Sequence, residues 1–286
     1  MSNISLSLIC ATKGRYEEVA RLITSLEQQS SDNFELIIID QNGNDLLSPL
    51  LSVKRKFPVA HIKIGRSGNT YARNFGLRTA KGDWVAFPDD DCWYPPSLVE
   101  NVLKHIAQAK SADGFFVNWS DPNTGAKMFS FTEGQMSIEE SFTLASCICL
   151  FFKTDSIREM HGFNESLGIG DSTLVKAGEE QDLMLRMISR SRKVYKLPQL
   201  EVYHKIGARR WDDAFLERIR GQGACDYYFT REYIGSGAAL QLRLKWVMAY
   251  LYNVVRGNSK NATWYLMKLK GVRLSSKIRS WPLSPS

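Results

Sequence analysis

Residues 85–98 read VAFPDDDCWYPPSL, so an apolar run, Val85-Ala86-Phe87, leads directly into Asp89, Asp90 and Asp91. Three adjacent carboxylates repel one another, and a turn or a helix start needs only one of them as a cap. A carboxylate cluster at the end of a strand has one common physical purpose, which is to hold a hard divalent cation. Mg²⁺ and Mn²⁺ take oxygen ligands, typically one or two protein carboxylates, with phosphate oxygens and water filling the remaining positions. The ligand so implied is a metal-bound diphosphate. Taken alone, the same three residues also fit a solvated turn that caps the helix near residue 96.

A shared site needs several strand ends on one edge, and the first hundred residues supply the alternation that does this. Strands are expected at 4–11 (ISLSLICA), 34–40 (FELIIID), 59–64 (VAHIKI) and 83–87 (DWVAF). Helices are expected at 16–29, with Val19, Leu22, Ile23 and Leu26 in register, at 68–82, with Tyr71 and Phe75 on one face and Gly82 as a stop, and at 96–109. The βαβ order implies an α/β fold with a mostly parallel, doubly wound sheet, in which ligands bind beyond the carboxyl ends of the strands. Three strands end in polar residues there: Ala11-Thr12, Asp40-Gln41 and Asp89-Asp90-Asp91. Further strands are expected at DGFFVNWSD and SCICLFFK, Cys147-Ile148-Cys149 lying in buried strand, and a helix at 178–190. After Trp211 the pattern is helical, with a domain boundary expected at 205–215.

The order and spacing of these segments resemble the inverting glycosyltransferases of family 2. That family has a first strand ending in an Ala/Pro-Thr-x-x-Arg turn, here Ala11-Thr12-Lys13-Gly14-Arg15, and a second ending in Asp-Asp-Gly-Ser, here Asp40-Gln41-Asn42-Gly43. An ARN-x-G helix follows, here Ala72 to Gly76, and then a G-(D/E)-x-(V/I)-x-F-x-D-x-D segment, here Gly82 to Asp91. The resemblance covers roughly residues 4 to 100. It implies the A-type glycosyltransferase fold, a Rossmann-like mostly parallel sheet flanked by helices. It also implies roles: Thr12 and Asp40 on the uracil of a UDP-sugar, Arg15, Arg73 and Asp90, the variable middle residue of the three acids, in the nucleotide-sugar site, Asp89 near the ribose or metal shell, and Asp91 on the metal. Gln41 replaces the family's second Asp, a departure that bears on which base is bound, although an amide also hydrogen-bonds a base edge.

The acceptor side is read from AGEEQDLMLR, residues 177–186. Inverting transfer needs a general base opposite the leaving group. The segment resembles the family's helix start in which an Asp is that base. Alignment places Glu180 in the role, with Glu179 as its rival and Asp182 a third carboxylate. Without the resemblance, the three acids also fit a helix start stabilised by its macrodipole. His204, in EVYHKIG, resembles the family's late His near metal or diphosphate, and a structural His is the alternative. The loop FNESLGIGDS (163–172) is expected on the acceptor side.

The 286-residue chain is ordinary in composition, 44% apolar and 23% charged. Its five scattered cysteines contain no CxxC pair, which supports neither a zinc site nor a disulfide frame and fits a reducing compartment. The N-terminus lacks a basic signal-like region, and WVMAYLYNVV (246–255) falls short of the roughly 20 residues that span a bilayer, so a cytoplasmic location is expected. From Arg231 onward ten Lys or Arg stand against one Glu, a balance of +9 interleaved with Trp and Tyr. This suits an anionic membrane surface, hence peripheral attachment to the inner face of the plasma membrane; no nucleic-acid motif accompanies it. The expected organisation is a catalytic domain over 1–210, with a nucleotide-sugar half (1–100) and an acceptor half (101–210), and a basic helical extension over 211–286.

The expected function is Mn²⁺- or Mg²⁺-dependent inverting transfer of a sugar from a nucleotide-sugar to a glycan or lipid-linked acceptor, in surface polysaccharide biosynthesis. Alternatives are a sugar-nucleotide nucleotidyltransferase, disfavoured by the single Gly in CATKGRYEEV, and a non-catalytic glycan-binding module. The missing QxxRW argues against a processive polymerase.

Overall fold

Seven-residue runs at Leu6–Thr12 (β1) and Phe34–Asp40 (β2) are buried along nearly their whole length, as strands covered on both faces must be. In this computed structural model, which describes residues 4–170, 173–207, 211–279 and 281, they pair in parallel with Thr12 beside Asp40. Between them α1 (Tyr16–Glu27) buries Val19, Leu22, Ile23 and Leu26, the expected face. A one-turn helix α2 (Ser48–Leu51) precedes β3 (Val59–Lys63), which pairs in parallel with β2. Helix α3 (Asn69–Thr79) leads to β4 (Trp84–Ala86), parallel to β1, and α4 (Leu98–Gln108) follows.

The remaining strands are β5 (Gly114–Asp121), the two-residue β6 (Ala126–Lys127) and β7 (Gly134–Gln135), β8 (Leu150–Lys153) and β9 (Val194–Tyr203). Short helices α5 (Ile138–Ser141) and α6 (Thr154–Glu159) flank β8, and α7 (Glu179–Ser189) precedes β9. The nine strands among the described residues form one sheet of order β3-β2-β1-β4-β8-β5-β9-β7, with β6 on β5. Strand β8 runs antiparallel to β4 and β5, whereas β9 is parallel to β5. Strands β1, β2, β3, β4, β5 and β9 therefore all end on the same edge.

Two local expectations are corrected. Cys147–Cys149 is a buried 3₁₀ turn, and extended chain begins only at Leu150. Gly82 does not stop α3: the helix ends at Thr79, and Ala80 is already extended. Gly82 is small for a different reason, since a Cβ there would sit 2.6 Å from the Ser7 backbone nitrogen. The aromatic face of α3 holds Tyr71 and Phe75 at 6.4 Å, half-exposed, while Ala72, Arg73, Gly76 and Leu77 are buried. Gly76 lets the helix lie on β1 and β2, its missing Cβ facing Ile9 and, at 3.3 Å, Ile39.

The chain forms two compact units. The first comprises Met1–Gly162 and Arg186–Gly207 and contains the whole sheet; the second comprises Phe163–Leu185 and Ala208–Ser286. The second unit holds α8 (Asp213–Tyr233), α9 (Ser236–Val255) and α10 (Ser259–Leu274). Helices α8 and α10 touch backbone to backbone, because a Cβ on Gly271 would lie 2.7 Å from the Ala224 nitrogen. Lys268 on α10 donates to Asp226 at 2.8 Å and lies over the Trp246 ring of α9 at 5.2 Å. Of the expected boundary segment at 205–215, residues 208–210 lie outside the described residues, as do 171–172 of the expected acceptor loop.

Candidate active site

The Asp89–Asp91 segment leaves β4 through Phe87 and Pro88, and Pro88 cannot donate to a sheet ladder, so pairing ends there. The Cys92 N–H donates to the Asp89 carbonyl at 3.2 Å and closes a turn. Trp93 and Tyr203 then exchange N–H···O bonds, both 2.9 Å, which tie this turn to the end of β9. His204, the next residue, is thereby set beside Asp91, with Nε2 3.2 Å from Oδ1. The Trp119 ring meets the imidazole edge-on at 4.9 Å, and the His204 N–H donates to the Ser120 carbonyl at 2.9 Å.

From the β1 side, Thr12 Oγ1 donates to Asp90 Oδ2 at 2.7 Å, and Arg15 Nη1 reaches Asp91 Oδ2 at 2.6 Å and Asp90 Oδ1 at 3.3 Å. From α3, buried Arg73 donates through Nη2 to Asp89 Oδ1 at 2.7 Å. Thr12, Arg15, Arg73, Asp89, Asp90, Asp91 and His204 thus converge, each of the three acids bonded to a different set of partners. Asp40 stands one strand away, fully buried, accepting from the Asn42 N–H at 2.8 Å and hydrogen-bonded to His61 Nε2 at 2.8 Å. Gln41 Oε1 accepts the Gly68 N–H at 2.7 Å, so this residue positions the start of α3.

Four further residues stand at this edge to which the sequence motifs assign no role. His61 clamps Asp40, and Asn42 bonds both Asp40 and the Gly14 N–H of the β1 turn. Arg21 of α1 donates to the Asp91 carbonyl at 2.8 Å while its guanidinium lies 4.4 Å over the Trp93 ring. Asp121, ending β5, accepts the Ile206 N–H at 3.0 Å and fixes the segment beyond His204. His61, a polar residue inside a short apolar strand, was the one visible signal; Arg21 is an ordinary helix residue in sequence.

The three acids differ electrostatically. The hydrogen bond from His204, outweighing burial and joined by Arg15, holds the Asp91 carboxyl well below the usual range. The same bond raises His204 against the opposing effect of its burial. Asp90 is pushed up to about 6, first by burial and then by the fields of Asp91 and Asp89, against the Thr12 bond and Arg15.

Among the described residues no three His, Cys, Asp or Glu side chains close around one point. The donor chemistry nonetheless fits a hard divalent cation. Asp89, Asp91 and His204 offer carboxylate oxygens and one imidazole nitrogen, and all three side chains are partly open to solvent.

Glu179 and Glu180 belong to the second unit and begin α7. The chain enters this helix through Gly178 at φ +86°, where a side chain would collide with Cys225 of α8. The Asp182 N–H donates to the Gly178 carbonyl at 2.9 Å. Glu179 is buried, with Gly168, at φ +88°, against its carboxylate; Glu180 is the more accessible of the two.

Comparison with known proteins places these features in context. The model of the family described as glycosyl transferase family 2 matches residues 7–160. An uncharacterized glycosyltransferase of Haemophilus influenzae is 40% identical over 104 residues, covering 36% of this chain and 35% of that protein. The amylovoran biosynthesis glycosyltransferase AmsB of Erwinia amylovora is 29% identical over 132 residues, 43% of each chain. The chain thus spans about a third to a half of the length of these curated relatives. Among solved structures, S. aureus TarS 1–349 in complex with UDP-GlcNAc superposes with a TM-score of 0.62 at 15% identity, over 95% of this chain and 92% of that one. The mannosyltransferase PcManGT from Pyrobaculum calidifontis, in complex with GDP-Man and Mn²⁺, gives 0.61 at 12% identity over 95% and 86%. These likenesses establish the expected A-type glycosyltransferase fold.

Proposed function

This chain belongs to glycosyl transferase family 2, and on that premise we propose that it transfers a sugar, with inversion, from a nucleotide-sugar to a hydroxyl of a glycan or lipid-linked acceptor in surface polysaccharide biosynthesis. One observation carries the reading. Thr12, Arg15, Arg73, Asp89–Asp91 and His204, from separate parts of the chain, meet at the carboxyl edge of a parallel sheet, bonded to one another.

In this reading residues 1–100 bind the donor and residues 101–210 the acceptor. Thr12 and Asp40 face the base, which we take as uracil, and His61 and Asn42 keep Asp40 from turning away. Asp89, Asp91 and His204 would hold a Mn²⁺ or Mg²⁺ ion, which supplies Lewis-acid stabilisation of the departing diphosphate. Arg15 and Arg73 add positive charge at the same edge, where negative charge develops on the leaving group. Glu180 takes the proton of the acceptor hydroxyl, its accessibility favouring it over buried Glu179.

The test is nucleotide release from a panel of UDP-sugars and GDP-mannose, with Mn²⁺ and with EDTA. Turnover of a UDP-sugar that stops in EDTA is the expected result. Full activity in EDTA removes the metal role, turnover of GDP-mannose alone reassigns the base, and no turnover of any donor defeats the reading.

A further inference from the structure

Helix α9, 20 residues and about 30 Å long, is apolar around most of its circumference. One face carries the buried residues Ala239, Trp246 and Asn253. The opposite face carries Leu240, Leu244, Met248, Leu251 and Val255, spaced four, four, three and four residues apart, which is one continuous stripe on a helix. All five are exposed, between 49% and 88%. Apolar side chains standing singly on a surface are ordinary; a stripe the length of a helix is not.

Charge is placed to match. On the helical wheel Arg243 and Lys245 fall on either side of the stripe, and both are exposed. Arg256 and Lys260 follow at its C-terminal end, where the Arg256 guanidinium lies 5.3 Å over the exposed Tyr252 ring. No acidic residue occurs anywhere after Glu232. No helix among the described residues is long and apolar enough to cross a membrane.

We propose that the outer face of α9 is a docking surface for an anionic phospholipid bilayer, with the helix lying in the plane of the interface. The stripe enters the acyl boundary, Arg243, Lys245, Arg256 and Lys260 meet lipid phosphates, and Tyr252 stays at headgroup depth. A second copy of the chain is the poorer occupant, because a symmetric contact through this stripe sets the same basic flanks against each other. The inference is independent of the donor, metal and base assignments above.

Co-sedimentation of the full chain with phosphatidylcholine vesicles, with and without one quarter phosphatidylglycerol, tests it. Partition onto the anionic vesicles at 50 mM NaCl is expected to exceed that onto neutral ones by at least tenfold, and to fall by about tenfold at 500 mM. Two variants alter exposed positions only, so the native melting profile checks that each has folded. Arg243→Glu with Lys245→Glu lowers partition by roughly 25-fold or more, at about fivefold per basic residue lost. Leu244→Ser with Met248→Ser and Leu251→Ser lowers it by at least about tenfold even at low salt. Equal binding to both vesicle types, binding to neither, or binding that survives both variants overturns the proposal. A native dimer that the triple variant converts to monomer also overturns it, in favour of a second copy.

Discussion

At the carboxyl edge of the sheet Asp40, Arg73 and Asp90 are 0%, 3% and 9% exposed, whereas on α9 Met248 and Val255 stand 66% and 88% exposed. The first region withdraws charge from water and the second offers apolar surface to it. Buried charge is unfavourable unless it is paired, and an apolar stripe the length of a helix points to an interaction surface. At the sheet edge part of the compensation is internal, since the acids are matched by Arg15, Arg73, Thr12, His61 and His204. On α9 no such pairing is seen among the described residues, and under the proposal above a bilayer supplies it. The difference separates a candidate site whose charges are already paired within the chain from a surface for which the proposal requires a partner.

The largest expected effect tests whether charge at the sheet edge serves reaction rather than fold. Asp91→Asn keeps the shape and removes the charge. Turnover is expected to fall by about 10³-fold or more, while the thermal midpoint moves by only a few degrees. Retained turnover with a large drop in stability makes the edge structural and dissolves the contrast. Glu180→Gln comes next, with a loss of about 10²–10⁴ in kcat and little change in donor affinity, because the base acts on the acceptor proton in the transition state. Glu179→Gln is its companion, measured in the same assay. If Glu179→Gln is the damaging change, the register of the α7 start is off by one; if neither is, the base is Asp182 or lies elsewhere.

A third measurement sharpens the other half. Leu22→Ala, in the buried face of α1, is expected to cost about 2–5 kcal/mol in denaturant unfolding. Met248→Gln, on the exposed stripe, is expected to stay within about 0.5 kcal/mol. A comparable cost at Met248 would mean that the stripe is already covered. The smallest effect concerns Asp113, at the opposite end of the sheet from the candidate site. Burial alone would raise its carboxyl, but bonds from Ser156 and the Lys193 N–H, with Arg192, hold it below the usual range. A lowered carboxyl stabilises the fold above the ordinary value of about 3.9 and loses that contribution as pH falls through the folded value. Between pH 5 and 2 the thermal midpoint of Asp113→Asn is therefore expected to fall less than that of the native chain.

Much of the first hundred residues was legible because continuous apolar runs and helical spacing dictate β1, α1, β2, β3 and β4 locally. The carboxylates at their ends were legible because three adjacent acids have few uses. What could not be read depended on pairing between distant segments. Nothing in LFFK says that β8 inserts between β4 and β5, and Cys147–Cys149 has the composition of a strand although its backbone turns. Arg21 joins the site only because α1 passes beneath Asp91. His61 reaches Asp40 because β3 and β2 pair in the register that sets Ile38 beside His61. The exposed stripe of α9 illustrates the reverse case: its spacing was present in sequence, but apolar spacing alone predicts a buried face, and only the packing shows which face is left outside.

The position of β8 also sets a schedule for the nascent chain. Strands β4 and β5 leave the ribosome before the segment that joins them, so both carry unpaired backbone edges until Lys153 has emerged. For β4 that interval is the synthesis of residues 87–153, roughly 3–13 s at 5–20 residues per second. During it the parallel half of the sheet is a template for any extended segment nearby, including the same edge on a neighbouring polysome. Slower translation prolongs this exposure, and any fragment ending before Leu150 carries it permanently, which makes such fragments prone to aggregate whatever their hydrophobic content.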